Sequence, residues 1–223
     1  MDFRKIKTID NIQLSTEIIF ENFKNHSKIT CNLDKIKLGQ FNQKMTDLVK
    51  LAIEAVEAGE IRFHPAHWVK TYNHWIKNIK DWCISRQLLW GHQIPVWYHK
   101  EDKSRLHVSV NGPKDIENWE QDKDVLDTWA SSWIWPMGVH NWPKESKDLS
   151  KFYPTNTLVT GPDIIFFWVA RMIITGYEFL DQKPFTDVYF TSILRDETGK
   201  KLSKSLGNSP DPFDLFKEYG TDA

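Results

Sequence analysis

Residues 199–208 read Gly-Lys-Lys-Leu-Ser-Lys-Ser-Leu-Gly-Asn. Three lysines, two serines and flanking glycines are the residue types that hold a polyphosphate. Lys201 and Lys204, three apart, can follow the charge of a phosphate chain as it moves. The string comes soon after an apolar run, residues 186–194, that reads as a fully buried strand. In open α/β sheets ligands bind beyond the carboxyl ends of the strands. A Lys-Lys pair alone would read as a solvated basic loop. The whole string at this position favours phosphate binding. It is not a Walker loop, because GxxxxGK[ST] is absent.

Other residues with chemical potential carry weaker signals. Asp163 stands at the start of an apolar segment, where a carboxylate is stabilised by the helix dipole whatever else it does. His64 and His67 form an HxxH pair around Pro65-Ala66, but no third ligand is near and the proline breaks the local helix, so zinc is not expected. The two cysteines, Cys31 and Cys83, can build neither a four-thiolate site nor a disulfide framework, which points to a reducing, cytoplasmic setting. The eleven tryptophans all lie between Trp68 and Trp168. Trp68, Tyr72, Trp75, Ile79 and Trp82 recur at helical spacing and read as a packing face rather than a stacking platform.

Elements that could position these groups follow from pattern. The chain has 223 residues with 29 Lys+Arg against 30 Asp+Glu, so no global field draws it onto nucleic acid and any RNA contact needs a local patch. Residues 44–58 predict a helix stopped by Gly59, residues 60–63 a short strand, and Pro65 the opening of the aromatic helix. Residues 94–98 and 107–110 read as strands, the second followed by an Asn111-Gly112 turn. Residues 111–123 read as polar loop, and residues 124–136 as an aromatic segment ended by Pro136. Thr157–Thr160 reads as a short buried strand. Gly161-Pro162-Asp163 then opens a helix whose apolar run, residues 164–180, contains Arg171 and Glu178 and is too short to span a membrane. Strand 186–194, a polar loop and a closing helix at 212–219 stopped by Gly220 complete a βαβ rhythm on a parallel sheet. Such a sheet needs more strands than these, so the unit reads as half of something.

KLSKS resembles the KMSKS signature of the class I aminoacyl-tRNA synthetases. The strings DWCISRQLLWGHQIPVWY, DVLDTWASSWIWP, LVTGPDIIFFWVARM and KLSKSLGNSPDP accompany it in order and are similar to the valyl branch, from about Phe41 to Ala223. Isoleucyl enzymes usually carry a Gln and an Arg-Gly pair where this chain has Ile164-Ile165-Phe166-Phe167. The resemblance implies an α/β fold: the C-terminal half of a Rossmann-like, HUP-type nucleotide-binding domain with an irregular connective insertion. The expected divisions are an unassigned arm at 1–40, a helical segment at 41–82, the insertion at 83–150 and the second half-domain at 151–223. It implies ATP-dependent activation of valine to valyl-adenylate and transfer to tRNA(Val), with Mg2+ arriving on the nucleotide. On the residues that match, Lys201 and Lys204 are catalytic and, with Ser203 and Ser205, hold ATP. Asp163 takes the substrate ammonium, and Trp135, Ile164 and Trp168 wall the valine pocket. His99-Lys100-Glu101-Asp102 stands where some valyl enzymes have cysteine pairs, so no zinc is implied. Relatives of this type are expected to be monomeric and free of membranes.

The family's HIGH string and its editing insertion do not occur in this sequence. The chain is therefore expected to be inactive alone. The alternatives are a non-catalytic remnant that associates with another chain, an isoleucyl- or leucyl-specific relative, and a Trp-rich sugar-binding module.

Overall fold

A computed structural model describes residues 49–79 and 85–222. The expected N-terminal arm, the first residues of the 44–58 helix, Trp82 and both cysteines lie outside the described residues.

Helix α1, residues 49–57, buries Val49, Ala52, Ala55 and Val56, and Gly59 at φ 75° ends the turn that follows it. Strand β1 (Arg62–His64) leads to helix α2 (Trp68–Lys77), which starts three residues beyond Pro65. The packing face keeps most of the expected stripe, since Tyr72 is buried and Trp68 and Ile79 pack against the main core, but it extends to Ile76. Tyr72 and Ile76, one turn apart, are the buried pair, while Trp75 stays half exposed at the rim, its ring 5.4 Å from Phe166. An indole can reach the core's edge from a flanking position, and a shorter side chain cannot.

Residues 85–142 hold a small antiparallel assembly, and a second cluster of buried side chains is centred on it. Strands β2 (Ser85–Arg86), β3 (Val96–His99), β4 (Leu106–Val108), β5 (Trp119–Gln121) and β6 (Val125–Leu126) pair as β2–β6 and as β4-β3-β5. The segment 111–123 is therefore not all loop: β5 and a 3-10 turn (Ile116–Asn118) occupy it, and the Trp119 ring lies edge-on against His99 at 5.1 Å. Helix α3 (Thr128–Ser132) is capped by Asp127, whose carboxylate accepts from Trp129 N at 2.8 Å. Pro136 ends nothing. It lies buried in the first turn of helix α4 (Trp135–Gly138), where a missing N–H costs no hydrogen bond. Ile94, Val96, Leu126, Trp133, Ile134, Met137 and Trp142 form this second core. Helix α5 (Lys147–Phe152) leads out of it.

The βαβ unit is present. Strand β7 (Thr155–Thr160) and strand β8 (Phe185–Phe190) run parallel, and β1 pairs with the other edge of β8, also parallel, giving the order β1-β8-β7. Among the described residues the sheet thus has three strands, the third being the short run at Arg62–His64. The expected single helix over 164–180 is built of three pieces: a 3-10 turn (Pro162–Ile164), a π-helical stretch (Ile165–Ala170) and helix α6 (Arg171–Leu180).

Phe63, Val188 and Leu158 form one row across the sheet and face the main core with α1, α2 and α6. The opposite face carries Arg62, Asp187 and Thr157 in one row and His64, Tyr189 and Val159 in the next. Strand β7 is accordingly not buried throughout, and Val159 is exposed. Strand β8 stops at Phe190 rather than 194, because its partners end at His64 and Thr160 and no ladder continues beyond them. Helix α7 (Pro212–Tyr219) forms as the pattern predicts, capped by Asp211 and ended at Gly220, but it buries no residue. Among the described residues no helix is long and apolar enough to cross a membrane.

Candidate active site

Parallel strands release their following loops at the same edge of a sheet. After β7 comes Gly161-Pro162-Asp163; after β8 comes the segment that carries KLSKS. The two meet. Lys201 Nζ donates to Asp163 Oδ2 at 2.6 Å, with both side chains about half exposed. That hydrogen bond, reinforced by the lysine's charge, holds the Asp163 carboxyl below the ordinary carboxylate value. Gly161 leaves room for this carboxylate: a Cβ there would meet Asp163 Oδ1 at 2.5 Å.

The lysine loop is a built structure rather than a loose tether. Arg195 and Lys201 bridge in antiparallel fashion, Leu202 N donates to Leu194 O at 3.1 Å, and the turn between them passes through Gly199 at φ 82°. Asp196 Oδ1 accepts from Thr198 Oγ1 at 2.7 Å and from Thr198 N and Lys200 N at 2.9 Å. Asp196 Oδ2 accepts from Asn208 Nδ2 at 2.8 Å. The Thr198 hydroxyl and the Asn208 amide are the chief reasons the Asp196 carboxyl is lowered to about 2. Asn208 Oδ1 in turn accepts from Ser203 N at 2.8 Å, and its Nδ2 also reaches Lys201 O at 3.3 Å. Ser203 Oγ and Ser205 Oγ lie 2.7 Å apart. Lys204 opens a single 3-10 turn (Lys204–Leu206), and its side chain lies outside what is described.

The two segments that carry the expected pocket residues dock on one another. Trp168 Nε1 donates to Ser132 O at 3.0 Å, and Thr175 Oγ1 on α6 donates to Trp133 O at 2.9 Å. These bonds, with the Trp129–Phe167 ring stack at 6.0 Å, dock the aromatic segment onto the helix that follows Asp163. Ile164 is half buried at the end of the 3-10 turn, and Trp135, at 51% exposure, opens α4. Among the described residues Trp135 makes no hydrogen bond or ring contact with Ile164 or Trp168.

Arg86 serves the scaffold: its Nη2 pairs with Asp127 at 2.8 Å. His64 is engaged with Asp187, Nε2 to Oδ1 at 2.8 Å, and stacks on Tyr189. In the sequence Asp196 carries no site signal, and Asn208 and Gly161 enter only as the ends of motifs. An Asp-x-Thr-Gly run is a readable turn signal, but the partner twelve residues on is not.

Among the described residues no three His, Cys, Asp or Glu side chains gather where they could hold a metal ion. The donors at this edge are ammonium and hydroxyl groups, which suit an anion that brings its own cation.

The sequence matches the tRNA synthetases class I (I, L, M and V) over residues 36–112 and 102–223. The chain belongs to this family. The class I synthetase chain is 56% identical over 192 residues to a protein of Chlorobaculum tepidum named Valine--tRNA ligase, covering 82% of this chain and 21% of the relative. It is 55% identical over 192 residues to the protein of the same name in Pseudothermotoga lettingae, covering 83% and 22%. It therefore spans about a fifth of the length of these relatives. Two solved structures share the fold. A methionyl-tRNA synthetase of Mycobacterium tuberculosis, bound by methionyl-adenylate, aligns with TM-score 0.56 at 19% identity, covering 80% of this chain and 30% of that one. A LeuRS of Agrobacterium radiobacter, in a ternary complex with tRNA and LeuAMS, aligns with TM-score 0.53 at 22% identity, covering 65% and 24%.

Proposed function

We propose that this class I synthetase chain is the KLSKS-bearing part of a site that activates valine with ATP and passes it to tRNA(Val). The observation that carries the reading is the meeting of Lys201 and Asp163 at the carboxyl edge of a parallel sheet. An anion holder and an ammonium holder sit within one hydrogen bond of each other, as an amino acid joined to a phosphate requires.

In this reading Asp163 takes the substrate's ammonium group, and Lys201, Ser203, Lys204 and Ser205 take the ATP phosphates. The valine carboxylate attacks the α-phosphorus. A carboxyl O–P bond forms, the bond from the α-phosphorus to the bridging oxygen breaks, and pyrophosphate leaves with the electron pair. Mg2+ enters on the nucleotide. Lys204, the second lysine of the string, stabilises charge on the phosphate in flight, a role in which removing one donor costs ~3 kcal/mol of barrier. Trp135, Ile164 and Trp168 line the side-chain pocket, where indoles offer large apolar area at low entropic cost. A hydroxyl at the 3′ end of tRNA(Val) then attacks the acyl carbon: an ester C–O bond forms, the acyl C–O bond to the phosphate breaks, and AMP leaves with that electron pair.

ATP titrated into isotope-labelled protein and followed by NMR tests the phosphate half of this reading. Shifts confined to residues 161–164 and 199–208, lost in Lys201→Ala, support it; shifts elsewhere, or none, overturn it. Valine-dependent pyrophosphate–ATP exchange should stay at background for this chain alone. Turnover above background would overturn the expectation that the remaining parts of the site are required. Isoleucine tested beside valine in a restored full-length enzyme separates the valyl from the isoleucyl or leucyl reading.

A second reading is favoured by Leu88, Leu89 and Trp90, all exposed, and by α7, which offers Phe213 and Tyr219 to solvent. A piece that docks on another chain would carry such surface. Gel filtration over a range of concentrations decides: concentration-dependent association supports docking, and a stable monomer removes it.

A further inference from the structure

Asp196 and Asn208 lie at opposite ends of the lysine loop and twelve residues apart, yet share a hydrogen bond of 2.8 Å. Each has a second set of partners. Asp196 gathers the backbone N–H groups of Thr198 and Lys200 at the hairpin turn. Asn208 holds the backbone of the KLSKS segment itself, accepting from Ser203 N and donating to Lys201 O. The shared bond therefore ties the hairpin turn to the backbone on either side of Leu202. Neither residue belongs to either apolar core, and the surrounding residues 195–207 are mostly exposed. A clamp of this kind contributes little to burial. What it fixes is the course of the chain that carries Lys201.

We infer that Asp196 and Asn208 are positioning residues for phosphate binding, a pair that holds the KLSKS backbone in the shape its lysine and serine groups need. The inference rests on the reading that this loop takes a polyphosphate. Neither residue touches the phosphate; each acts through the backbone of residues 200–203.

Charge and position make opposite forecasts, which is what makes the pair testable. Asp196→Asn removes a negative charge from the loop that carries the lysines. If only the local field matters, tripolyphosphate binds more tightly. If the clamp matters, the new amide faces the Asn208 amide, two donors meet, the loop opens and binding weakens. Asn208→Asp sets two carboxylates against each other and breaks the same bond. The double swap, Asp196→Asn with Asn208→Asp, restores donor to acceptor in reverse and leaves net charge unchanged. It keeps the acceptor for Ser203 N and gives up the longer bond to Lys201 O.

The experiment uses inorganic tripolyphosphate titrated into the full chain by calorimetry, with hydrogen exchange of the Ser203 amide read in the ligand-free protein. Each single variant should bind about tenfold more weakly, the size of one net hydrogen bond to a charged group, and should lose Ser203 protection at an unchanged melting temperature. The double swap should recover most of both. Tighter binding by Asp196→Asn, or a double swap no better than the singles, overturns the inference. So does loss of cooperative unfolding in a single variant, since that would make the pair structural. If the parent chain itself does not bind tripolyphosphate while Ser203 protection follows the clamp, the phosphate reading fails and the positioning role falls with it. If the parent binds and the variants bind alike, the clamp alone is wrong.

Discussion

Lys201 and Asp163 form a 2.6 Å ion pair between loops 38 residues apart in sequence. Each is the other's competitor for ligand. A phosphate arriving at Lys201 must displace a carboxylate, and an ammonium arriving at Asp163 must displace a lysine. With both groups about half exposed, the pair contributes only ~0–1 kcal/mol to the fold. Asp163→Asn should therefore leave the melting temperature nearly unchanged while freeing Lys201, so that tripolyphosphate binds about threefold more tightly, a change of ~0.7 kcal/mol. Calorimetry checks this, and equal or weaker binding would contradict the competition. The pH dependence has a fixed sign. The Asp163 carboxyl is lowered by Lys201, so the pair is intact above the ordinary carboxylate range and is lost as pH falls through the lowered value.

The lysine loop, the βαβ rhythm and the closing helix were legible because each is local. Glycines, an apolar run and a cap with its stop sit within a few residues of one another. The features hidden in the sequence are those that distance decides. The strand at Arg62–His64 looked minor until β8, more than a hundred residues later, took it as a parallel partner. Pro136 reads as a terminator by type, yet its place in a first turn makes it a helix opener. Nothing in the sequence marks Asn208 as the partner of Asp196, because the pairing depends on a hairpin that returns one to the other.

Asp187 joins β8 to β1 through side chains as well as backbone. Arg62 donates Nε to Oδ1 at 2.9 Å and Nη2 to Oδ2 at 2.6 Å, and His64 Nε2 lies 2.8 Å from Oδ1. The arginine's hydrogen bonds, then the histidine's, lower the carboxyl from 3.8 to about 2. A lowered folded-state value contributes stability above the unfolded one and loses it on acidification. Asp187→Asn should thus be less stable than the parent at pH 6 in urea unfolding. The gap should narrow between pH 3.8 and about 2 as the parent's own carboxylate is protonated. A gap that persists unchanged at pH 2 would mean the carboxylate's charge is not what holds the strands.

One of the contacts that dock the aromatic segment is made by a buried hydroxyl. Thr175 Oγ1 lies 2.9 Å from Trp133 O and 3.0 Å from Arg171 O, its single proton shared between α6 and the connective region. Thr175→Val keeps the shape and removes the donor, leaving the Trp133 carbonyl without it. The expected loss is ~0.5–1.5 kcal/mol in denaturant unfolding, the net worth of one intramolecular hydrogen bond. Near-UV circular dichroism should change as Trp133 and its neighbours loosen. Thr175→Ser, which keeps the donor, should hold both signals closer to the parent.

Gly176 poses two opposed effects whose sizes decide the sign. Replacing a helical glycine by alanine ordinarily stabilises by ~1 kcal/mol. Here the new Cβ would sit 2.8 Å from Gln182 O, 2.8 Å from Tyr153 Oη and 3.0 Å from Pro184 Cδ. The Gln182 carbonyl is backbone just after Asp181, which sits at φ 50°, and it also accepts from Tyr153 Oη at 3.2 Å, so it cannot swing aside without losing that bond. Overpacking of this kind costs ~1–3 kcal/mol, enough to outweigh the propensity gain. Gly176→Ala should therefore lower the urea midpoint. In a Tyr153→Phe background one of the three clashing atoms is gone, and the same change should cost less. A Gly176→Ala variant as stable as the parent would show that the turn at 181–184 yields, and that the close approach does not constrain the end of α6.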